Sequence, residues 1–218
     1  MLNIAVLVSG GGSNLQAIID AVACGELPVR IALVLSDRRG AYALERARQH
    51  GIPTAVVRPR DYADRPAFDD AVAEILAQHQ VELVCLAGFM RLFQADFMRR
   101  YAGRVINIHP ALLPAFPGLH VQREALEHGV KVSGCTVHFA DEGTDTGPII
   151  VQRAVPVLED DTVETLSARI LEQEHLAYVE AIRLYAAGRL RICGRRVRVL
   201  PPAPPAGLAN CPTEGPTD

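Results

Sequence analysis

The chain has 218 residues, of which 49% are hydrophobic and 22% are charged, and this composition suffices for a globular core. Its formal net charge of −3 argues against general nucleic-acid binding, and no apolar run approaches the ~20 residues of a membrane-spanning helix. Five widely spaced cysteines without a Cys-x-x-Cys pattern indicate reduced thiols. We therefore predict a cytoplasmic protein with no nucleic-acid or membrane partner.

Apolar runs of strand length alternate with helical periodicity along most of the chain, which predicts an α/β fold with a parallel sheet covered by helices. The predicted strands are residues 3–8, 31–35, 54–57, 81–86, 105–108, 131–139 and 149–155. The predicted helices are residues 15–22, 41–50, 66–76, 94–101, 121–128 and 161–187.

The last thirty residues change in character. Residues 190–200 are basic and predict an edge hairpin about Gly194. Residues 201–218 are rich in proline and glycine, with few periodic apolar residues, and predict an exposed tail. We therefore expect one catalytic domain, residues 1–200, followed by the tail.

Three consecutive glycines, residues 10–12, follow the first predicted strand and lead through Ser13 and Asn14 into the first helix. Glycines let the backbone approach a ligand closely, and a helix N-terminus offers unpaired N–H groups that favour anions. We interpret Gly12, Ser13 and Asn14 as the site of one phosphate group. The alternative is an ordinary tight turn, which two glycines would satisfy.

This glycine loop departs from the standard nucleotide-binding motifs. Gly10 and Gly12 begin a G-x-G-x-x-G pattern, but Leu15 stands at the third position. Asp37 ends the second predicted strand and could match the ribose-binding acid of a dinucleotide fold. Without the third glycine a dinucleotide site is the weaker alternative, and no G-K-[ST] sequence indicates a P-loop.

Two polar residues, Asn107 and His109, end the otherwise apolar strand at 105–108. They are two positions apart, so their side chains project to the same side of the sheet, at the edge where open parallel sheets bind ligands. An amide N–H beside an imidazole can stabilise an oxyanion and transfer a proton. Three prolines within residues 110–118 predict an ordered irregular loop next to them. We therefore favour a functional over a structural histidine.

Four segments, residues 9–15, 86–91, 107–118 and 141–148, together resemble the phosphoribosylglycinamide formyltransferase family, the folate-dependent enzymes of purine synthesis. The resemblance covers residues 2–190. It implies a Rossmann-like, mostly parallel twisted sheet with helices on both faces. It also implies transfer of a formyl group from 10-formyltetrahydrofolate to 5-phosphoribosylglycinamide. No metal-binding spacing such as His-Glu-x-x-His occurs, so we expect no metal.

The resemblance assigns catalytic roles to three residues. Asn107 and His109 would flank the reacting formyl carbon, with His109 as the general acid. Asp145 would pair with His109, although Asp-x-Gly-Pro is also ordinary turn chemistry. Thr146 stands where the family often has glycine.

The resemblance also implies contacts with the two substrates. Met90, Arg91, Leu92 and Phe93 would bind the folate through backbone groups and packing, and Asn107 would contact it as well. Arg65 lies where the family has an arginine at the formyl donor or the substrate, although a surface arginine is an alternative.

Glu174 interrupts the apolar ladder of the last predicted helix, and a carboxylate in that position needs a partner. The resemblance makes Glu174 a ligand of the substrate ribose, whereas the alternative is a side chain that extends to water. His138 and His175 are expected to be structural, and His120 and His128 to lie on the surface.

Three other functions fit parts of the pattern. A methionyl-tRNA formyltransferase carries a further tRNA-binding domain, and about thirty residues after the last helix are too few for one. A formyltetrahydrofolate deformylase normally carries an N-terminal regulatory domain, whereas this chain opens on the first strand. A non-catalytic dinucleotide-binding module would not need Asn107, His109 and Asp145 together. We expect a monomer or homodimer.

Overall fold

The computed structural model describes residues 1–202, and nine strands within that range form a single sheet. The strands are β1 (Leu2–Val8), β2 (Val29–Ser36), β3 (Thr54–Val56), β4 (Leu83–Leu86), β5 (Val105–His109), β6 (Val132–Phe139), β7 (Ile149–Pro156), β8 (Leu190–Cys193) and β9 (Arg196–Val199). The helices are α1 (Ser13–Ala23), α2 (Tyr42–Gln49), α3 (Arg65–Gln78), α4 (Ala95–Arg100), α5 (Val121–Glu127) and α6 (Val163–Ala186).

The order of strands in the sheet is β3-β2-β1-β4-β5-β6-β7-β9-β8. Strands β1 to β5 pair in parallel, whereas β6 pairs antiparallel with both β5 and β7. The mostly parallel α/β sheet predicted from the sequence is confirmed. Because β1 lies between β2 and β4, the winding of the chain reverses there, and ligands of open sheets bind at the carboxyl ends of the strands on either side.

Two apolar clusters cover the two faces of the sheet, as predicted. One contains Leu15 of α1, Leu44 of α2 and Tyr178 of α6, and the other contains Phe68 of α3 and Phe97 of α4. The hydroxyl of the fully buried Tyr178 donates to the carbonyl oxygen of Leu86 at 2.9 Å. The longest helix is thereby tied to the end of β4, next to the ligand edge.

The predicted hairpin is confirmed: β8 and β9 pair antiparallel, and Gly194 between them has a φ of 61°. Leu200 is held by Arg189, whose carbonyl oxygen accepts from the Leu200 N–H at 2.7 Å. Of the predicted tail, only Pro201 and Pro202 lie within the described residues, and both are exposed. No helix within residues 1–202 is both long and apolar enough to cross a membrane.

Candidate active site

A cavity of about 510 Å³ opens at the carboxyl edge of the sheet. Its walls come from the loop after β4 (residues 88–93), the end of β5 (residues 107–110), the segment 118–122 and the turn 140–145. The cavity volume falls within the ~300–1,000 Å³ of small-molecule sites. The side chains of these four segments therefore line one open cavity.

Asn107, His109 and Asp145 meet at this cavity. Nδ2 of Asn107 donates to Oδ1 of Asp145 at 3.3 Å, and Nδ1 of His109 lies 3.3 Å from Oδ2 of Asp145. His109 is buried, with 4% of its surface exposed. The three residues predicted to be catalytic therefore form one cluster, although 38 positions separate Asn107 from Asp145.

His109 faces an acceptor at each ring nitrogen. Nε2 lies 2.7 Å from the carbonyl oxygen of Phe116, and Nδ1 faces the carboxylate of Asp145. Because neither oxygen can donate, a proton on Nε2 makes the Phe116 contact a hydrogen bond, and a second proton, on Nδ1, makes the Asp145 contact an ion pair. In that form the ring is a proton donor.

Asp145 has a left-handed backbone conformation, with a φ of 56°, in the turn between β6 and β7. The N–H of Gly118 donates to its Oδ2 at 2.9 Å. Burial raises the pKa of Asp145, but hydrogen bonds from His138 and Gly118 and the charges of His138 and His109 together hold the pKa below its ordinary value of 3.8. The carboxylate is therefore ionised at neutral pH.

His138 was expected to be structural, yet it is a fourth member of the cluster. Its Nε2 lies 3.5 Å from Oδ1 of Asp145 and 3.3 Å from Nδ2 of Asn107. The cause is the antiparallel pairing of β5 with β6, which sets Asn107 directly opposite His138. The polar pair at 107 and 138 was visible in the sequence, but the register that joins them was not.

Thr146 takes part in the turn and does not displace Asp145. Its Oγ1 donates to Oδ1 of Asp141 at 2.7 Å, and the N–H of Gly143 donates to the same oxygen at 3.1 Å. Gly147 is sterically required, since a Cβ there would overlap the carbonyl oxygen of Phe139. The turn accommodates a threonine where the family often has glycine, and Asp145 still reaches the cluster.

The glycine loop joins β1 to α1, and Gly12 is the N-cap of α1 with a φ of 73°. A Cβ on Gly12 would stand 2.5 Å from Cβ of Ala43 in α2, so packing as well as conformation requires this glycine. A Cβ on Gly10 or Gly11 would meet no atom within 4 Å. The loop therefore combines one structural glycine with two open backbone positions.

Two of the predicted substrate ligands are in contact beside this loop. Nδ2 of Asn14 donates to Oε2 of Glu174 on α6 at 2.7 Å, and both residues are 8% exposed. Burial raises the pKa of Glu174 above its ordinary value of 4.5, and the bond from Asn14 offsets only part of this effect. Among the described residues, Oδ1 of Asn14 has no hydrogen-bond partner. Asn14 at the start of α1 and Glu174 of α6 are thus in direct contact beside the glycine loop.

The loop after β4 is anchored through its backbone. Oγ of Ser9 accepts from the N–H of Met90 at 2.9 Å, and the carbonyl oxygen of Leu92 accepts from Nη2 of Arg65 at 2.8 Å. Ser9 also begins the glycine loop, so the two loops are neighbours. Arg65 holds the loop from α3, whereas Met90, Arg91, Leu92 and Phe93 line the cavity itself.

The residues of this loop differ in exposure. Met90 and Leu92 are 53% and 59% exposed, so apolar surface faces the cavity mouth. Phe93 is buried, stacked between Phe89 and Phe97 at centroid distances of 5.5 Å and 3.9 Å. His120 is exposed, as predicted, and it also lines the cavity, which was not predicted.

A family model described as formyl transferase matches residues 2–182. The match includes the glycine loop, the loop after β4, the four-residue cluster and Glu174. The chain belongs to the formyl transferase family.

Individual relatives narrow this assignment. The phosphoribosylglycinamide formyltransferase of Escherichia coli (strain K12) is 44% identical over 191 residues, which are 88% of this chain and 90% of that enzyme. The crystal structure of glycinamide ribonucleotide transformylase 1 from Symbiobacterium toebii has 59% identity and a TM-score of 0.91, and the match covers 92% of this chain and 95% of that one. These similarities place the chain in the phosphoribosylglycinamide formyltransferase branch, which confirms the sequence resemblance.

Two further similarities are partial. The trifunctional purine biosynthetic protein adenosine-3 of Drosophila pseudoobscura pseudoobscura is 52% identical over 190 residues, which are 86% of this chain but 14% of that protein. A formyltetrahydrofolate deformylase from Pseudomonas syringae is 28% identical with a TM-score of 0.85, and the match covers 92% of this chain and 66% of the deformylase. The same fold therefore occurs in proteins named for transfer and in one named for hydrolysis.

Proposed function

We propose that the chain transfers the formyl group of 10-formyltetrahydrofolate to the amine of 5-phosphoribosylglycinamide, giving formylglycinamide ribotide and tetrahydrofolate in purine synthesis. The observation that carries this proposal is the meeting of an amide, an imidazole and an ionised carboxylate at one cavity, with a phosphate-type loop alongside. The four described cysteines are free thiols, which supports a cytoplasmic setting.

The ribotide would occupy the glycine loop. The open backbone at Gly11, together with the start of α1 at Gly12 and Ser13, offers N–H groups to one phosphate. Glu174 would accept a hydrogen bond from a ribose hydroxyl, and the unpartnered amide oxygen of Asn14 could take another. The acceptor oxygens of Glu174 and Asn14 would then face the ribose hydroxyls, and the positive N-terminal end of α1 would face the phosphate.

The formyl donor would occupy the cavity. Its flat ring system suits the apolar walls, while Met90 and Leu92 contribute backbone as well as side-chain contacts. Arg65 would act indirectly, by holding the carbonyl of Leu92 in place. No metal is required by this arrangement, because the charge that develops on the formyl oxygen falls beside Asn107 and His109.

The reaction needs an oxyanion partner and a route for one proton. The amine attacks the formyl carbon, and Nδ2 of Asn107 and the His109 ring stabilise the oxygen that becomes negative. Nδ2 of Asn107 lies 3.3 Å from Nε2 of His138 and 3.3 Å from Oδ1 of Asp145, and both contacts are long. The amide can therefore give up one of them and donate to the negative formyl oxygen, which is the stronger acceptor. Asp145 keeps the imidazole oriented, and the proton lost by the amine passes to the departing folate nitrogen. Holding two substrates together supplies much of the rate increase.

Hydrolysis of the formyl donor is the rival activity, and one assay separates the two. Formation of tetrahydrofolate is measured with and without 5-phosphoribosylglycinamide at equal enzyme concentration. We expect turnover that depends on the ribotide, with formylglycinamide ribotide formed in equal amount. Equal turnover in its absence would overturn the transfer assignment in favour of a deformylase.

A further inference from the structure

The glycine loop is held from one side by α2. The N–H of Ala43 donates to the carbonyl oxygen of Gly10 at 3.1 Å, and Nε of Arg46 donates to the carbonyl oxygen of Gly11 at 2.9 Å. The second of these bonds joins residues that are 35 positions apart. Two successive carbonyl groups of the loop are therefore fixed in the direction of α2.

This hold decides where the N–H groups of the loop point. In a planar trans peptide the N–H lies opposite to the C=O, and neither peptide bond concerned is cis. Since the carbonyls of Gly10 and Gly11 face α2, the N–H groups of Gly11 and Gly12 face away from it. Neither N–H donates to another group within residues 1–202. Both donors are thus aimed at the open side of the loop.

The side chain of Arg46 is half-buried and held at three points. Besides its bond to Gly11, its Nη1 donates to Oε1 of Gln16 at 3.0 Å, and its guanidinium carbon lies 4.9 Å from the centroid of the Tyr42 ring. No carboxylate of the described chain forms an ion pair with it, because the adjacent Glu45 lies 3.4 Å from Nη1 of Arg48 instead. An unneutralised positive charge therefore sits directly behind the loop.

A cation on a carbonyl oxygen also changes the peptide group that it binds. Hydrogen bonds in a chain polarise one another, so a guanidinium on the Gly11 oxygen makes the Gly12 N–H a stronger donor. A hydrogen bond from a charged group is moreover stronger than one between neutral groups. Arg46 thus orients one donor of the loop and strengthens it.

We infer that Arg46 is a positioning residue for the substrate phosphate, acting from behind the loop through the carbonyl group of Gly11. The inference rests on the proposed function, which puts the phosphate of the ribotide on this loop. Arg46 aims the Gly12 N–H at the phosphate, and its charge favours an anion there. The glycine loop contains no cationic side chain of its own, so this arginine supplies the positive charge.

The test measures both substrates in Arg46 variants. Arg46→Ala should raise the ribotide KM by about ten-fold, with the KM of the formyl donor and kcat at saturation unchanged. Arg46→Lys keeps the charge but loses the forked geometry, so its ribotide KM should rise by roughly two- to five-fold. Calorimetric binding of ribose 5-phosphate, which carries the same phosphate, should weaken in the same order.

Arg48→Ala is the matched control, because it removes an exposed arginine of the same helix that contacts Glu45 and not the loop. It should keep the ribotide KM. A structural brace would instead lower the thermal midpoint of Arg46→Ala and raise both KM values alike, which would overturn the inference. If the alanine variant does not fold, an unchanged ribotide KM in Arg46→Lys would overturn it as well.

The same experiment separates this inference from the proposed function. Ribotide-dependent transfer with a wild-type ribotide KM in a folded Arg46→Ala variant would remove the role of Arg46 and leave the proposed function standing. Wild-type protein that binds ribose 5-phosphate in an Arg46-dependent manner, yet forms no formylglycinamide ribotide, would remove the proposed function and leave the role of Arg46.

Discussion

The glycine loop and the turn that carries Asp145 bring functional groups to the same sheet edge by different means. The loop is a local structure, formed by consecutive residues between β1 and α1 and fitted against Ala43. The turn depends on the registers of three strands and on the N–H of Gly118, 27 positions earlier. In the proposed function, phosphate binding thus depends on backbone groups and catalysis on distant side chains, so substitutions should be able to separate the two.

The largest expected effect comes from the cluster. His109→Ala removes the proposed acid, and Asp145→Asn removes the carboxylate that orients it. Each variant should lower kcat by ~10²–10⁴-fold. Because Asp145 acts largely through His109, the double variant should lose much less than the product of the single losses. Steady-state kinetics at saturation with both substrates measures this.

Asp141→Asn provides the control for that cycle. It changes a carboxylate of the same turn, and its amide oxygen can still accept from Thr146. It should keep most of the wild-type kcat. Single losses that multiply in the double variant, at unchanged thermal midpoints, would return Asp145 to the status of a turn residue.

The glycine loop should give the next largest effect, and on KM. Gly11→Asp adds a carboxylate at a position without steric conflict, and repulsion of the phosphate should raise the ribotide KM by about ten-fold or more. The neutral Gly11→Asn variant should change this KM much less, and the KM of the formyl donor should be unaffected in both. An equal rise for aspartate and asparagine would contradict the phosphate assignment.

Gly12→Val tests packing instead of binding. The new side chain would overlap Ala43 and occupy a left-handed conformation, so the free energy of unfolding should fall by about 1–3 kcal/mol. Chemical denaturation monitored by circular dichroism measures the change. Wild-type stability in this variant would show that α1 and α2 can move apart freely.

Glu174→Gln should separate stability from binding. The folded protein holds the Glu174 proton more tightly than the unfolded chain does, since burial raises its pKa above 4.5. This group therefore destabilises the fold increasingly as the pH rises from 4.5 through the raised pKa. The glutamine variant should be the more stable protein at neutral pH, by a margin that shrinks as the pH falls.

The same variant should bind the ribotide less well, because a neutral amide is a weaker acceptor for the ribose hydroxyls. We expect about a ten-fold higher ribotide KM. Denaturation curves measured from pH 4.5 up to neutral pH test the predicted difference in stability. A glutamine variant that is less stable at neutral pH would mean that the carboxylate has a compensating partner.

The smallest effect is expected at the end of the chain. Removal of residues 201–218 should change the free energy of unfolding by less than about 0.5 kcal/mol and leave turnover intact, because this segment has few periodic apolar residues. Leu200 is the natural end point, since its backbone is bound to Arg189. A large loss on truncation would show that the tail contributes to the core.

The sequence predicted what local patterns determine. Strands β1 to β5 and the helices between them were located because buried parallel strands and amphipathic helices leave distinct periodicities. Asn107 and His109 stood out as polar residues at the end of an apolar strand. The glycine loop was identified by its composition alone.

What the sequence did not predict depends on tertiary contacts. Asp145 looked like a turn residue, and only the family resemblance set it beside His109. The contacts of His138 with Asn107 and Asp145 were not predicted, because they depend on the β5–β6 register. Arg65 was placed among the donor contacts, whereas its Nη2 donates to the carbonyl oxygen of Leu92, a contact that depends on how α3 packs against the loop.

The bond between Asn14 and Glu174 joins two segments that the ribosome makes at different times. The two residues are 160 positions apart, so at ~5–20 residues per second the ribosome makes α6 roughly 8–30 s after the glycine loop. Glu174 is made after every residue of the cluster and of the cavity wall, so the Asn14–Glu174 contact is the last of these features that can form. If Glu174 binds the ribose as proposed, the ribotide would stabilise the protein fully, by mass action, only once α6 is in place.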